Sequence, residues 1–210
     1  MGIPVLVYGK SGSGKSRSLK NFGEEEILLI NVESKNLPFR KKFKYVLCND
    51  NLCVIKQKLK TMGNADIKTA VIDDAGYLMT HYFMAHHREK TGSAQFDMYN
   101  EIADDFFKLI KFVKEETPND AIVYIVMHED TSDYGDTKLK TLGRLLDTKV
   151  CIEGMVTICI RCMTDNERHF FRTKTDGSDI TKTPEEMFEA DEIDNDLKAV
   201  DSAIRAYYEI

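Results

Sequence analysis

Residues 9 to 16 read Gly-Lys-Ser-Gly-Ser-Gly-Lys-Ser, a full match to the pattern G-x-x-x-x-G-K-[ST]. Gly9, Gly12 and Gly14 let the backbone curl tightly and turn its N–H groups inward, which makes a cradle for a chain of phosphates. Lys15 can reach the β and γ phosphates, and the Ser16 hydroxyl can be offered to Mg²⁺. The expected nucleotide contacts are therefore Gly9, Lys10, Ser11, Gly12, Ser13, Gly14, Lys15, Ser16 and Arg17. The context agrees. Ile3 to Tyr8 is a short apolar run that suits a buried strand, and Ser16 to Phe22 reads as the first turns of a helix whose N-terminus favours an anion. A plain Gly/Ser loop would not require strand, loop and helix in that order.

Hydrolysis of a nucleotide needs carboxylates as well as a cradle. Asp73 ends the apolar run Ala70-Val71-Ile72, and a carboxylate at the tip of a strand beside the phosphate-loop strand can reach the metal. Ser16 and Asp73 are thus the expected metal pair. Asp74 and Glu33 compete as the base that orients water, the latter at the tip of the run Leu28 to Asn31. His128 follows the run Ala121 to Met127 and is placed to touch the γ-phosphate, coupling hydrolysis to the loop beyond it. The expected catalytic group is Lys15, Glu33, Asp74 and His128. Lys138, Lys140 and Arg144 can supply a cation to a neighbouring subunit or contact a nucleic-acid backbone. Arg40, Lys41, Lys42 and Lys44 form the dense basic run of the chain, which most often is solvated surface.

The elements that must position these residues alternate between strand and helix, which predicts a parallel sheet covered on both faces. After Ile27 to Asn31, a weaker strand is expected at Tyr45 to Cys48. Leu52, Ile55, Leu59 and Met62 recur at helical spacing, as do Ile102, Phe106, Leu109, Ile110 and Val113 before Pro118. Thr131 to Leu142 reads as a loop. Val156 to Met163 and His169 to Thr173 flank Thr164-Asp165-Asn166 and predict a hairpin at the sheet edge. Ile193, Leu197, Val200, Ile204 and Tyr207 predict a closing amphipathic helix over about 191–208. The whole chain, 1–210, is expected to form one phosphate-loop NTPase domain.

Composition narrows the class. At 42% hydrophobic and 30% charged residues the chain is ordinary for a globular protein. No apolar run approaches the roughly 20 residues of a membrane helix, and a cytoplasmic site, in a host cell or otherwise, is expected. The net charge of −6 is concentrated in the last stretch, since Glu185 to Ile210 carries nine acidic and two basic residues. The body is then close to neutral, without the overall basic balance of many nucleic-acid binders. Five cysteines argue against a disulfide framework. The spacing of Cys159 and Cys162, and of His81, His86 and His87, does not make a transition-metal site.

The run of motifs, GKSGSGKS, LLINVES, AVIDD and YIVMH, resembles the RecA-like ATPase core, an α/β/α three-layer fold with a mostly parallel sheet and an antiparallel edge hairpin. Within that group LGRLLDTKVCIEGM and TKTPEEMFEADEIDNDLKAVDSAIRAYY resemble segments of phage-encoded AAA-type ATP-binding proteins related to single-strand annealing recombinases. The resemblance implies ATP and Mg²⁺ as ligands, Glu33 as base, His128 as γ-phosphate sensor, single-stranded DNA as partner, and assembly into a ring or filament. Two departures stand out: Lys10, where relatives carry Pro or another small residue, and His128, where bacterial RecA has Gln. A small-molecule kinase also fits a phosphate loop in a chain of this length, but the Thr131 to Leu142 loop has no Arg to clamp an acceptor. A non-catalytic nucleotide switch, docking through the acidic last helix, is the third reading.

Overall fold

The apolar runs become strands, and their order across the sheet decides which side chains meet. The computed structural model describes residues 1–132, 134–143, 145–146 and 149–210. Strand β1 (Ile3–Gly9) leads into the phosphate loop. Strands β2 (Ile27–Asn31), β3 (Tyr45–Leu47), β4 (Thr69–Asp73) and β5 (Ile122–Thr131) run parallel to it. Strand β6 (Thr137–Leu139) folds back antiparallel on β5. Strands β7 (Ile158–Asp165), β8 (Arg168–Arg172) and β9 (Glu192–Asp194) complete the other side. Among the described residues the order is β3-β2-β4-β5-β1-β7-β8-β9, with β6 on β5.

Successive residues of β1 face opposite layers, as strand geometry demands. Leu6 and Tyr8 join one apolar cluster with helices α1 (Leu52–Lys60), α2 (Gly76–His86) and α3 (Ser93–Glu116). Val5 and Val7 join another with the 3₁₀ turn Ser16–Asn21 and helix α4 (Leu197–Tyr208). This is the expected three-layer α/β/α arrangement with an antiparallel edge. Local signals explain the helix limits. The Asn51 side chain accepts from the N–H groups of Cys53 and Val54 and caps α1, and Asp196 does the same for α4 through Lys198 and Ala199. Helix α3 stops at Thr117, which is extended because Pro118 follows.

Four expectations need correction. The carboxylate strand β4 is not beside β1, because β5 lies between them. Both strands are apolar on both faces, so hydrophobic pattern could not rank them as neighbours. The segment after Lys15 is a 3₁₀ turn, where the Ser18 hydroxyl donates to the Lys15 carbonyl at 2.6 Å and competes with regular helix bonding. The stretch Thr131 to Leu142 contains β6, set up by a turn in which Ser132 N–H donates to the Asp136 carbonyl at 2.8 Å. The last helix begins at Leu197 rather than near 191, because Ile193 sits opposite Phe171 in β9.

A buried ionic cluster fastens α4 to the sheet. The Asp201 carboxylate accepts from Thr69 Oγ1 at 2.9 Å, Tyr124 OH at 3.2 Å and Arg205 Nε at 2.7 Å. Arg205 also donates to the carbonyls of Asp120 and Lys68, each at 3.0 Å. Removing one member of such a buried pair strands the other, at a typical cost of about 3 kcal/mol. Asp201→Ala is expected to lower the unfolding free energy by about that much in urea titrations; a loss below about 0.5 kcal/mol would show that the cluster does not hold α4.

Candidate functional site

Parallel strands place their C-terminal tips on one edge, and the chemically useful residues collect there. Register puts Gly9 of β1 opposite His128 of β5, and Asn31 of β2 opposite Asp73 of β4. The intervening β5 does not keep Asp73 from the loop. Ser16 Oγ donates to both carboxylate oxygens of Asp73, at 2.8 and 3.1 Å. A hydroxyl and a carboxylate in contact are the hard oxygen donors able to hold Mg²⁺. Burial pushes the Asp73 carboxyl above its ordinary range, and the neighbouring Asp74 adds to the effect.

The loop is held from below as well as by its own curl. Gly12 and Gly14 have φ of +80° and +106°. At Gly14 a Cβ would lie 2.8 Å from His169 Nδ1 and 3.1 Å from Asn195 Oδ1, so this position needs glycine twice over. The Ser13 carbonyl accepts from the Cys162 thiol at 3.1 Å and contacts His169 Nδ1 at 2.8 Å. Burial pushes that thiol up to about 11, which keeps it a proton donor. Ser13 Oγ is buried without a partner among the described residues. Arg17 donates to Asn195 Oδ1 at 3.3 Å. Lys15 Nζ donates to the carbonyls of Gly9 and Lys10 at 2.8 and 2.7 Å, and burial lowers its pKa. The side chain of Lys10 is exposed, and its contribution to the loop is its carbonyl.

The crevice above the loop encloses about 310 Å³. Its walls include Ser11, Gly12, Gly14, Lys15, Ser16 and Arg17 from the loop, Lys35 and Asn36 after β2, and Asp74, His128 and His169. Asp74 is buried and adopts a left-handed φ of +59°, an uncommon setting for a non-glycine residue. One of its oxygens meets Lys35 Nζ, and the other lies 3.4 Å from His128 Nε2. His128 Nδ1 is 3.4 Å from Lys15 Nζ, and since an ammonium can only donate, the imidazole proton belongs on Nε2, facing Asp74. Burial alone would raise the Asp74 carboxyl, but the hydrogen bonds from His128 and Lys35 outweigh it and hold the group below its ordinary range.

Glu33 does not line this crevice. Its carboxylate turns towards α2, with Oε1 2.6 Å from His81 Nε2 but buried without a hydrogen-bond partner among the described residues, and His81 Nδ1 meets Asp50 Oδ2 at 2.9 Å. The Tyr77 ring lies between the two groups, 5.8 Å from the His81 ring and 6.1 Å from that of His128. Lys138 and Lys140 also stand outside the crevice, on β6 and just after it, although Lys140 N–H donates to the His128 carbonyl at 2.8 Å. Arg144 lies outside the described residues. Sequence reasoning missed Lys35, His169 and Asn195. Lys35 carried a usable signal, two positions past Glu33 at a strand tip. The other two were hidden in β8 and in the link between β9 and α4, both distant in sequence.

Because the folded pKa of Asp74 is depressed, its contribution to stability is present above the ordinary carboxylate value of 3.8 and is lost as pH falls through the folded value. Asp74→Asn, which tolerates the same φ, is expected to unfold about 1–2 kcal/mol more easily than the parent at pH 7. Urea titrations down to about pH 3 should show the gap closing. A gap that stays constant with pH would mean that the carboxylate is not held by these partners.

Comparison with known proteins completes the description. The family model described as AAA domain matches residues 1–190. No curated protein matches the chain. Among the described residues no helix is long and apolar enough to cross a membrane. The matched stretch contains the phosphate loop, Asp73, Asp74 and His128, and on this evidence the chain belongs to the AAA domain family of nucleotide-binding ATPases.

Proposed function

We propose that this protein is a Mg²⁺-dependent ATPase of phage DNA recombination or replication, acting as an oligomer on single-stranded DNA. One observation carries the hydrolytic part: the Ser16–Asp73 pair and the Lys15–His128–Asp74 chain meet over the same phosphate loop. ATP supplies the phosphoanhydride to be cleaved. Lys15 and the loop N–H groups offset charge on the phosphates, and Ser16 with Asp73 holds Mg²⁺. Arg17 also lines a neighbouring recess with Lys20, Asp194 and Asn195.

Asp74 is the carboxylate assigned here to orient the attacking water, since it lines the crevice and Glu33 does not. His128 touches both Lys15 and Asp74, so a γ-phosphate arriving there would be felt by the backbone that β5 continues into β6. That extension is anchored, because Arg161 grips Glu129 with Nε at 2.9 Å and a second nitrogen at 3.0 Å. The phage and DNA part is supported by the resemblance of LGRLLDTKVCIEGM and of the closing segment TKTPEEMFEADEIDNDLKAVDSAIRAYY. It is also supported by a groove of about 980 Å³ that shares Lys35 and Asn36 with the crevice and carries Arg40 and Lys42. Lys41 in that groove is engaged by the Phe22 carbonyl at 2.6 Å, and Lys44 pairs with Glu25 at 3.1 Å. Lys138 and Lys140 remain candidates to act on a neighbouring subunit.

The test is Mg²⁺-ATP hydrolysis at low salt with and without a long oligothymidine strand. The rate is expected to rise with the strand. Lys15→Ala should lose nucleotide binding, Asp74→Asn should keep binding but lose about 10²-fold or more in rate, and Glu33→Gln should stay within a few-fold of the parent. A rate indifferent to DNA would remove the DNA part. An active Asp74→Asn beside a dead Glu33→Gln would return the base role to Glu33.

A further inference from the structure

The turn after β2 is built to aim one cation. Asn31, at the end of β2 and nearly buried, folds its side-chain amide over the turn: Nδ2 donates to the Lys35 carbonyl at 2.7 Å, and Oδ1 accepts from the Lys35 N–H at 3.3 Å. Ser34 N–H donates to the Asn31 carbonyl at 3.2 Å, and Ser34 takes a left-handed φ of +53°. Both backbone polar groups of Lys35 are therefore committed, while its side chain stays half exposed and lines the crevice with Lys15 and His128. Its ammonium meets Asp74, a carboxylate already approached by His128.

We propose that Lys35 supplies, from within the same subunit, the cation that meets the γ-phosphate, with Asp74 as its partner in the free protein. This rests on the ATPase reading above. A fixed turn spares the backbone part of the ordering cost that a loose loop would incur. The γ-phosphate brings negative charge into the same crevice and competes with Asp74 for the ammonium. As Lys35 turns to the phosphate, Asp74 loses one of the two contacts, with His128 the other, that oppose its acting as a base. Two effects then arise from one movement: the γ-phosphate gains a charge-assisted contact, and the carboxylate becomes available to water. ADP, lacking the γ-phosphate, leaves the Lys35–Asp74 pair in place.

The test measures affinity for ADP and for a non-hydrolysable ATP analogue, each with Mg²⁺, by titration calorimetry. In Lys35→Gln the preference for the ATP analogue over ADP is expected to fall about tenfold, the worth of one charge-assisted hydrogen bond, while ADP affinity holds. Lys35→Arg should keep most of the preference. The double variant Lys35→Gln/Asp74→Asn separates a phosphate contact from mere neutralisation of Asp74: the preference stays lost in the first case and returns in the second. Mixing Lys15→Ala with Lys35→Gln tests the subunit. Hydrolysis no higher than that of Lys35→Gln alone supports action in cis, and hydrolysis clearly above it overturns it. An unchanged preference in Lys35→Gln overturns the proposal while leaving the ATPase reading intact, whereas a parent protein that binds neither nucleotide overturns both.

Discussion

The parallel register of β1, β5 and β4 is the constraint on which the site depends. It brings the end of the phosphate loop strand, His128 and the Asp73–Asp74 pair to one edge of one sheet, though they lie far apart along the chain. The strands can hold that register only because both their faces are covered, by α1 to α3 on one side and by α4 with the 3₁₀ turn on the other. Burying Tyr8, Tyr124 and Phe106 fully leaves little freedom for a strand to slip, since a shift of one residue would turn every side chain to the wrong layer.

Charge is arranged on that frame so that the two adjacent aspartates differ. Asp73 is buried against Ser16 and its carboxyl is pushed up, which favours a state completed by a cation. Asp74 is also buried, but Lys35 and His128 hold its carboxyl down. The contrast comes from neighbours rather than from residue type. Side by side, the two carboxylates are thus driven in opposite directions, Asp73 towards its neutral form and Asp74 towards its charged form.

Much of this was legible in the sequence because it depends on local pattern. The phosphate loop, the two aspartates and His128 all sit at tips of apolar runs, and in a parallel sheet those tips share one edge. What was not legible depends on which strands are neighbours. The pattern of β4 and β5 is equally apolar, so the insertion of β5 beside β1 had no sequence signal. Glu33 reads as a crevice residue from its strand tip, yet the turn through Asn31, Val32 and Ser34 directs Lys35 into the crevice and leaves Glu33 to His81. His169 and Asn195 come from β8 and from the link between β9 and α4, elements whose approach to the loop is purely tertiary. The strand β9 was hidden because Ile193 also fits the helical spacing of α4.

The central claim is that this edge forms a cradle for a Mg²⁺-nucleotide. The most direct measurement is calorimetric titration of the pure protein with ATP, once with Mg²⁺ and once with EDTA. The account predicts one nucleotide per chain, bound markedly more tightly with Mg²⁺ because Ser16 and Asp73 then hold the metal. An affinity indifferent to Mg²⁺ would contradict the role of that pair, and no binding at millimolar ATP would contradict the cradle itself.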